Sequence, residues 1–249
     1  MIVLKTKREL AAMRDAGRIA ARALRIAGEA VEPGVSTWEI DRIARRYIEE
    51  QGAIPTFLGY GGFPASACIS VNNVVVHGIP SKDVIVREGD IVSIDIGATY
   101  EGFVGDNAFT FPCGKVSAEA EALMKATQES LYEGIKAAQA GNRIGDIGSA
   151  VQRYVEARGY SVVRTFVGHG VGTNLHEDPS VPNFGTPGRG PRLLPGMTLA
   201  IEPMVNAGVY EVEILRDGWT TVTKDGSLSA HFEHTIAITP DGPVILTLP

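Results

Sequence analysis

The chain of 249 residues echoes itself at an offset of 107 positions. Gly34, Ile40, Arg46, Tyr47, Glu49 and Gly52 recur as Gly141, Ile147, Arg153, Tyr154, Glu156 and Gly159, and the same offset lays Gly89 to Asp95 over Gly196 to Glu202. Two segments sharing one offset, with a carboxylate closing both copies of the second, point to a duplication. The constraint is strong: the second half must rebuild what the first half builds, and a ligand site is expected at the pseudo-symmetric centre. One domain over 1–249 is expected, with halves of about 1–112 and 113–249, since only Gly/Pro-rich loops at 59–64 and 185–196 interrupt the pattern.

Each half opens on helices. Thr6 with Glu9 and Ser36 with Glu39 have capping-box spacing, which satisfies the free N–H groups of a helix start. Leu10, Met13, Ala20, Leu24 and Ala27 share one stripe of a first helix that stops near Pro33-Gly34, and 36–51 forms a second. Residues 117–140 and 144–158 repeat the arrangement around Gly141-Asn142. Strand-like segments follow each pair: 69–76, 91–96 and 103–111, then 161–167, 197–202, 210–215, 220–223 and 232–239. Helix pairs followed by runs of strands imply an α+β fold, with helices covering one face of a largely antiparallel sheet.

Net charge of −6 and the lack of a basic block argue against nucleic acid as the main ligand. No apolar run approaches a membrane span and the N-terminus lacks a signal-peptide core, so no membrane partner is expected. Two cysteines, Cys68 and Cys113, are too few for a disulfide framework. Reduced thiols and a cytoplasmic location are the expectation.

The chemistry begins with Asp95 and Asp106. Ile91 to Ile96 alternates as a strand, Thr99-Tyr100-Glu101-Gly102 offers a turn, and Phe103 to Phe111 returns. A turn at Tyr100-Glu101 would set the two acids directly opposite, and one at Glu101-Gly102 would make them diagonal neighbours on one face. Opposed Cβ atoms lie about 4.5–5.5 Å apart, where like charges repel unless a proton or cation intervenes. All five histidines, His77, His169, His176, His231 and His234, fall in glycine-rich turns or beside acidic residues. His169 and His176 are seven apart, so a shared site requires a loop or strand rather than a helix. Glu202 closes an apolar strand before Pro203, and Glu233 opens another; a carboxylate in such a place is costly unless paired or metal-bound. Asp95, Asp106, His169, Glu202 and Glu233 thus make four carboxylates and one imidazole, which two divalent cations would balance. The oxygen-rich donor set suits Mn, Fe or Co, with Zn acceptable.

These residues are where the chain resembles type I methionine aminopeptidases, metallopeptidases of the pita-bread fold. The resemblance runs over Val76-His77-Gly78-Ile79-Pro80, Ile94-Asp95-Ile96, Gly105-Asp106, Gly168-His169-Gly170-Val171-Gly172 with His176-Glu177, Ile201-Glu202-Pro203-Met204 and Phe232-Glu233-His234-Thr235. It implies two pseudo-symmetric halves around a curved sheet. It also implies that Asp95, Asp106, His169, Glu202 and Glu233 hold two divalent metal ions, Asp106 and Glu233 bridging. His77 and His176 would contact the substrate amide and the developing oxyanion, and Glu202 would shuttle a proton. Phe57, Tyr60, Phe63, Cys68 and Trp219 match the family's methionine pocket, with Leu175 where an aromatic residue is usual. The implied reaction removes the initiator methionine from nascent peptides, favouring small second residues, in a short bacterial-type monomer with the ribosome as a candidate contact.

Other departures are His231 in place of a usual Gln, and Gly97 and Asn107-Ala108 in place of hydroxyl-bearing residues. They bring the surroundings of the ligands, and hence metal affinity and pH optimum, into question. Two rival readings share the fold. A non-catalytic peptide- or ribosome-binding relative would have lost ligands, and a proline-specific aminopeptidase would carry a further N-terminal domain, for which a first helix near residue 6 leaves no room.

Overall fold

The computed structural model describes residues 1–249. Helix α1 (Lys7–Glu29) and helix α2 (Thr37–Glu50) start on the two capping boxes: the Thr6 hydroxyl accepts from the Glu9 N–H, and the Ser36 hydroxyl from the Glu39 N–H. Helix α3 (Ala118–Ala137) is capped by Ser117, and helix α4 (Ile144–Glu156) by the Asp146 carboxylate, which accepts the Arg143 N–H at 2.7 Å. The expected 36–51 and 144–158 helices are therefore present, within a residue or two at their ends.

In the first half, α1 and α2 pack on an antiparallel sheet whose centre is a long hairpin, Ile91–Tyr100 with Phe103–Pro112. Its register pairs Tyr100 with Phe103, Gly97 with Asp106 and Asp95 with Ala108. The turn therefore sits at Glu101-Gly102, and Asp95 and Asp106 are diagonal neighbours. Both turn residues have positive φ, 48° and 82°, the geometry that follows the twist of a two-residue hairpin. In the second half, α3 and α4 cover shorter strands, chiefly a three-stranded sheet of Ser161–Val162, Met204–Asn206 and Ser229–His231, beside a five-stranded sheet containing Gly168–Gly170, Glu177–Val181, Thr198–Ile201, His234–Thr239 and Gly242–Ile245.

The 107-residue echo is a repeat of backbone geometry. Gly34 and Gly141 have φ of 98° and 94°, and Gly89 and Gly196 have 91° and 95°. Ser36 bridges Ile85, as Arg143 bridges Arg192. The Gly34 N–H donates to the Val86 carbonyl, as that of Gly141 does to Leu193. Each member of each pair lies at the same offset from its counterpart. The result is the pita-bread fold, with two pseudo-symmetric halves.

Three departures from the expected strands matter. Residues 69–76 break at Asn72-Asn73 into Ala67–Val71 and Val74–Val76, and the second piece leaves the first-half sheet to pair with Thr221–Thr223. Of 161–167 only Ser161–Val162 is strand, because the chain turns away through Arg164-Thr165-Phe166. Gly168–Gly170, read as a glycine-rich turn, is strand paired with Thr198–Ile201. Each half has its own apolar core, and a third cluster, including Met13, Phe57, Phe63, Cys68, Val171, Leu175 and Leu246, joins them at the centre.

Candidate metal centre and substrate pocket

The hairpin delivers Asp95 and Asp106 to one face. The Thr198–Ile201 strand ends one residue short of Glu202, whose carbonyl accepts from Asn183 Nδ2 at 3.0 Å, and the Ser229–His231 and His234–Thr239 strands flank Glu233. The Glu233 N–H donates to the Ala108 carbonyl at 2.9 Å, stitching this segment to the hairpin. Asp106 is fixed through its backbone by Thr235, which donates to the Asp106 carbonyl at 2.8 Å and accepts its N–H at 3.3 Å.

All five acidic and imidazole residues expected to meet do so in one cavity. Asp106, His169 and Glu233 are buried and offer atoms all within 4.8 Å of one another. His169 Nε2 stands 3.4 Å from Glu202 Oε1 and 3.6 Å from Asp106 Oδ2. His169 Nδ1 lies 2.9 Å from the Gly170 carbonyl oxygen. A carbonyl only accepts, so Nδ1 carries the proton and the Nε2 lone pair faces the two carboxylates.

These are lone pairs converging without donors. Asp95 Oδ1, Asp106 Oδ1 and Glu233 Oε1 are buried with no hydrogen-bond partner. Burial, opposed by His231 and reinforced by Glu202, raises Asp95 to about 7. Burial opposed by His169 raises Glu202 to about 7. Burial plus the neighbouring carboxylates lift Asp106 and Glu233 well above the usual carboxylate range. Buried acids cost free energy in this form unless cations balance them, and the donor set is what hard or borderline divalent ions take. The residues fit a divalent metal centre.

The cavity's remaining walls are mostly apolar. Phe57, Tyr60, Phe63, Cys68, Leu175 and Trp219 line it, as expected, joined by Val76, Phe166, Val167 and Met204, which sequence reading missed. Phe63 meets Trp219 edge-on at 5.2 Å, as Phe166 meets His77. His77 occupies the left-handed region at φ 58°, a conformation a side chain adopts at a cost and one common at functional sites. Burial, with His231 nearby, lowers its imidazole to about 4, so it is neutral at physiological pH. At the mouth the Tyr60 hydroxyl lies 2.7 Å from His176 Nδ1, and the His176 and His169 rings are 4.2 Å apart. His234 turns away, its Nδ1 2.9 Å from the Thr247 hydroxyl.

One of the noted departures has a structural reason. A Cβ on Gly97 would stand 2.7 Å from Phe57 Cε1, so glycine admits that ring to the pocket.

The profile of metallopeptidase family M24 matches residues 11–240. A methionine aminopeptidase of Clostridium perfringens is 56% identical, the match covering 100% of this chain and 99% of the relative. Methionine aminopeptidase 1 of Bacillus subtilis is 55% identical, covering 99% of each. The crystal structure of methionine aminopeptidase from Thermotoga maritima superposes with a TM-score of 0.98 at 46% identity, over 100% of both chains. An Xaa-Pro dipeptidase of Bacillus anthracis, at 22% identity and a TM-score of 0.80, shares the fold alone. With the profile spanning most of its length and these relatives matched end to end, the chain belongs to metallopeptidase family M24, among its methionine aminopeptidases.

Proposed function

We propose that the chain hydrolyses the first peptide bond of polypeptides beginning with methionine, using two divalent ions held by Asp95, Asp106, His169, Glu202 and Glu233. The observation that carries the reading is the convergence of four carboxylates, three of them with a buried oxygen that has no hydrogen-bond partner, and the His169 lone pair at the base of a largely apolar cavity. Divalent ions there would supply Lewis-acid polarisation of the scissile carbonyl and a water of lowered pKa.

The chain's own residues do the rest. Asp106 and Glu233, the most deeply buried acids of the set, would hold the ions together with Asp95, His169 and Glu202. Glu202 reaches the cavity, where its carboxylate would take a proton from water and pass it to the leaving amine. Neutral His77 and His176 offer ring N–H groups toward the substrate amide, where charge develops on the carbonyl oxygen. The apolar walls take the methionine side chain, and aromatic rings with Cys68 suit a thioether. The Tyr60–His176 contact narrows the mouth, which favours small second residues. No helix is long and apolar enough to cross a membrane, and we place the action on nascent chains in the cytoplasm, by a monomer that meets its substrates near the ribosome.

Turnover of Met-Gly and Met-Ala-Ser peptides but not of Met-Leu peptides is the expected result, with calorimetry of metal binding giving two ions per chain. Equal rates on Met-Gly and Met-Leu, or saturation at one ion with full activity, would overturn the corresponding part of the reading.

A further inference from the structure

The Glu202 carboxylate lies between two imidazoles. Oε1 faces His169 Nε2 at 3.4 Å, and Oε2 faces His231 Nε2 at 3.7 Å. The two rings are not equivalent. The Nδ1 proton of His169 is committed to the Gly170 carbonyl, so its Nε2 has only a lone pair to offer and needs a cation between itself and Oε1.

His231 has no such commitment at Nε2, which is buried without any partner in a residue only 2% exposed. Its backbone cannot retreat. The N–H donates to the Thr110 hydroxyl at 2.9 Å, the Thr110 hydroxyl donates to its carbonyl at 2.9 Å, and the residue pairs with Met204 in the strand next to Glu202. A buried N–H left unmade is costly. A shift of about 0.8 Å in the Glu202 carboxylate brings Oε2 to ordinary hydrogen-bond distance.

We propose that His231 is a positioning residue: its Nε2–H holds the outer oxygen of Glu202, and so aims Oε1 toward the ion shared with His169. The inference rests on the metal-centre reading above and adds to it a residue outside the five ligands. Partners of this kind orient a ligating side chain, and losing one typically weakens metal affinity about 10–100-fold.

The test uses metal-free full-length protein titrated with Co²⁺, followed by calorimetry and by the visible absorption of the bound ion. His231→Leu, which fills the space without a donor, is expected to weaken binding about 10–100-fold and alter the Co²⁺ spectrum. His231→Gln, which keeps a side-chain N–H, is expected to restore affinity and spectrum to near wild type. Unchanged affinity and spectrum in His231→Leu would overturn the inference. So would a His231→Gln loss as large as that of His231→Leu, which would make the ring itself a ligand.

A measurement on the wild type stands apart from any folding defect. Long-range ¹H–¹⁵N spectra of histidine-labelled, Zn²⁺-loaded protein should show the His231 proton on Nε2, and a proton on Nδ1 alone would sink the proposal. Wild-type protein that takes up no divalent ion would overturn the metal-centre reading and this inference together, whereas the variant and tautomer outcomes overturn this inference alone.

Discussion

The two halves feed one centre by different means. The first contributes both of its acids from one continuous hairpin closed by a two-residue turn, with α1 lying across it. The second contributes His169, Glu202 and Glu233 from three separate segments of short strand, held by pairing to one another and by stitches to the hairpin. Asp95 and Glu202 occupy the same position in the repeat, yet the first is carried within a ten-residue strand and the second follows a four-residue one. The duplicated framework of helices and turns was kept, while the segments reaching the centre diverged. Local structure holds one side of the site, and long-range contact holds the other.

The sharpest way to break this comparison is to remove a shared carboxylate. Asp106→Asn is expected to lower kcat/KM on Met-Ala-Ser by about 10³-fold or more, on the scale of losing a principal electrostatic group. The fold should survive, because Asn resembles the protonated acid that burial already favours in the absence of metal. Peptide hydrolysis and a thermal melt on the same sample check both halves of the statement. Wild-type-like hydrolysis would exclude a centre built on Asp106.

Metal removal should separate the halves. Ions that bind only the folded chain stabilise it by about 2.7 kcal/mol at one hundred times Kd. Chelation should therefore lower Tm, and Mn²⁺ or Co²⁺ should restore it. Hydrogen exchange should find the loss concentrated at the amides around His169, Glu202 and Glu233, with the hairpin amides from Ile94 to Ala108 still protected. Uniform loss across both groups would show that the hairpin depends on the centre as much as the second half does.

The same asymmetry decided what could be read from residues alone. The hairpin's period-two alternation and its turn residues are local signals, as are the helix caps at Thr6 and Ser36, and all stand where expected. Only the register was left open, and it was settled by Glu101 and Gly102 taking positive φ together, leaving Tyr100 in the strand. His169 carries no such signal. A Gly-His-Gly strand has too few side chains to show a period, and it exists through pairing with Leu199 and Ala200. Thr235 on Asp106, and His231 facing Glu202, are contacts between residues distant along the chain that no window of sequence displays. The four carboxylates could still be picked out, because acids in apolar strands are conspicuous whatever pairs with them, whereas His169 is assigned to the site through the family resemblance of its glycine-flanked motif.

A smaller effect tests how tightly the first half is clamped. A Cβ on Gly105 would stand 2.5 Å from Gly17 Cα, so α1 approaches the hairpin backbone to backbone. Gly105→Ala should cost about 1–3 kcal/mol of overpacking. In a chain of this size that lowers Tm by about 2–4 °C per kcal/mol. Differential scanning calorimetry of the metal-loaded protein reads it, and a shift below one degree would show that the helix moves aside freely.

The smallest expected effect concerns the loop that carries His176, which the first half also tethers. Lys5 Nζ lies 2.5 Å from Glu177 Oε2, both side chains nearly buried, while Glu177 Oε1 accepts the Asn174 N–H at 3.2 Å. Burial pushes Glu177 upward, but the hydrogen bonds from Lys5, Asn174 and Thr173 outweigh it and hold the carboxyl below its ordinary value. With the folded value depressed, the stabilisation is present above the unfolded carboxylate pKa of about 4.3. It is lost as pH falls through the folded value. Replacing both partners by apolar residues, Lys5→Met with Glu177→Leu, removes that pH-dependent contribution; an apolar pair of similar volume substitutes for a buried ion pair at small net cost, and the Asn174 N–H that loses its acceptor adds a cost that does not vary with pH. The double variant should therefore lose less Tm than wild type between pH 5 and pH 3, roughly the window in which an unfolded glutamate takes its proton. Parallel acid curves for the two proteins would mean that the Lys5 tether contributes nothing to holding the His176 loop.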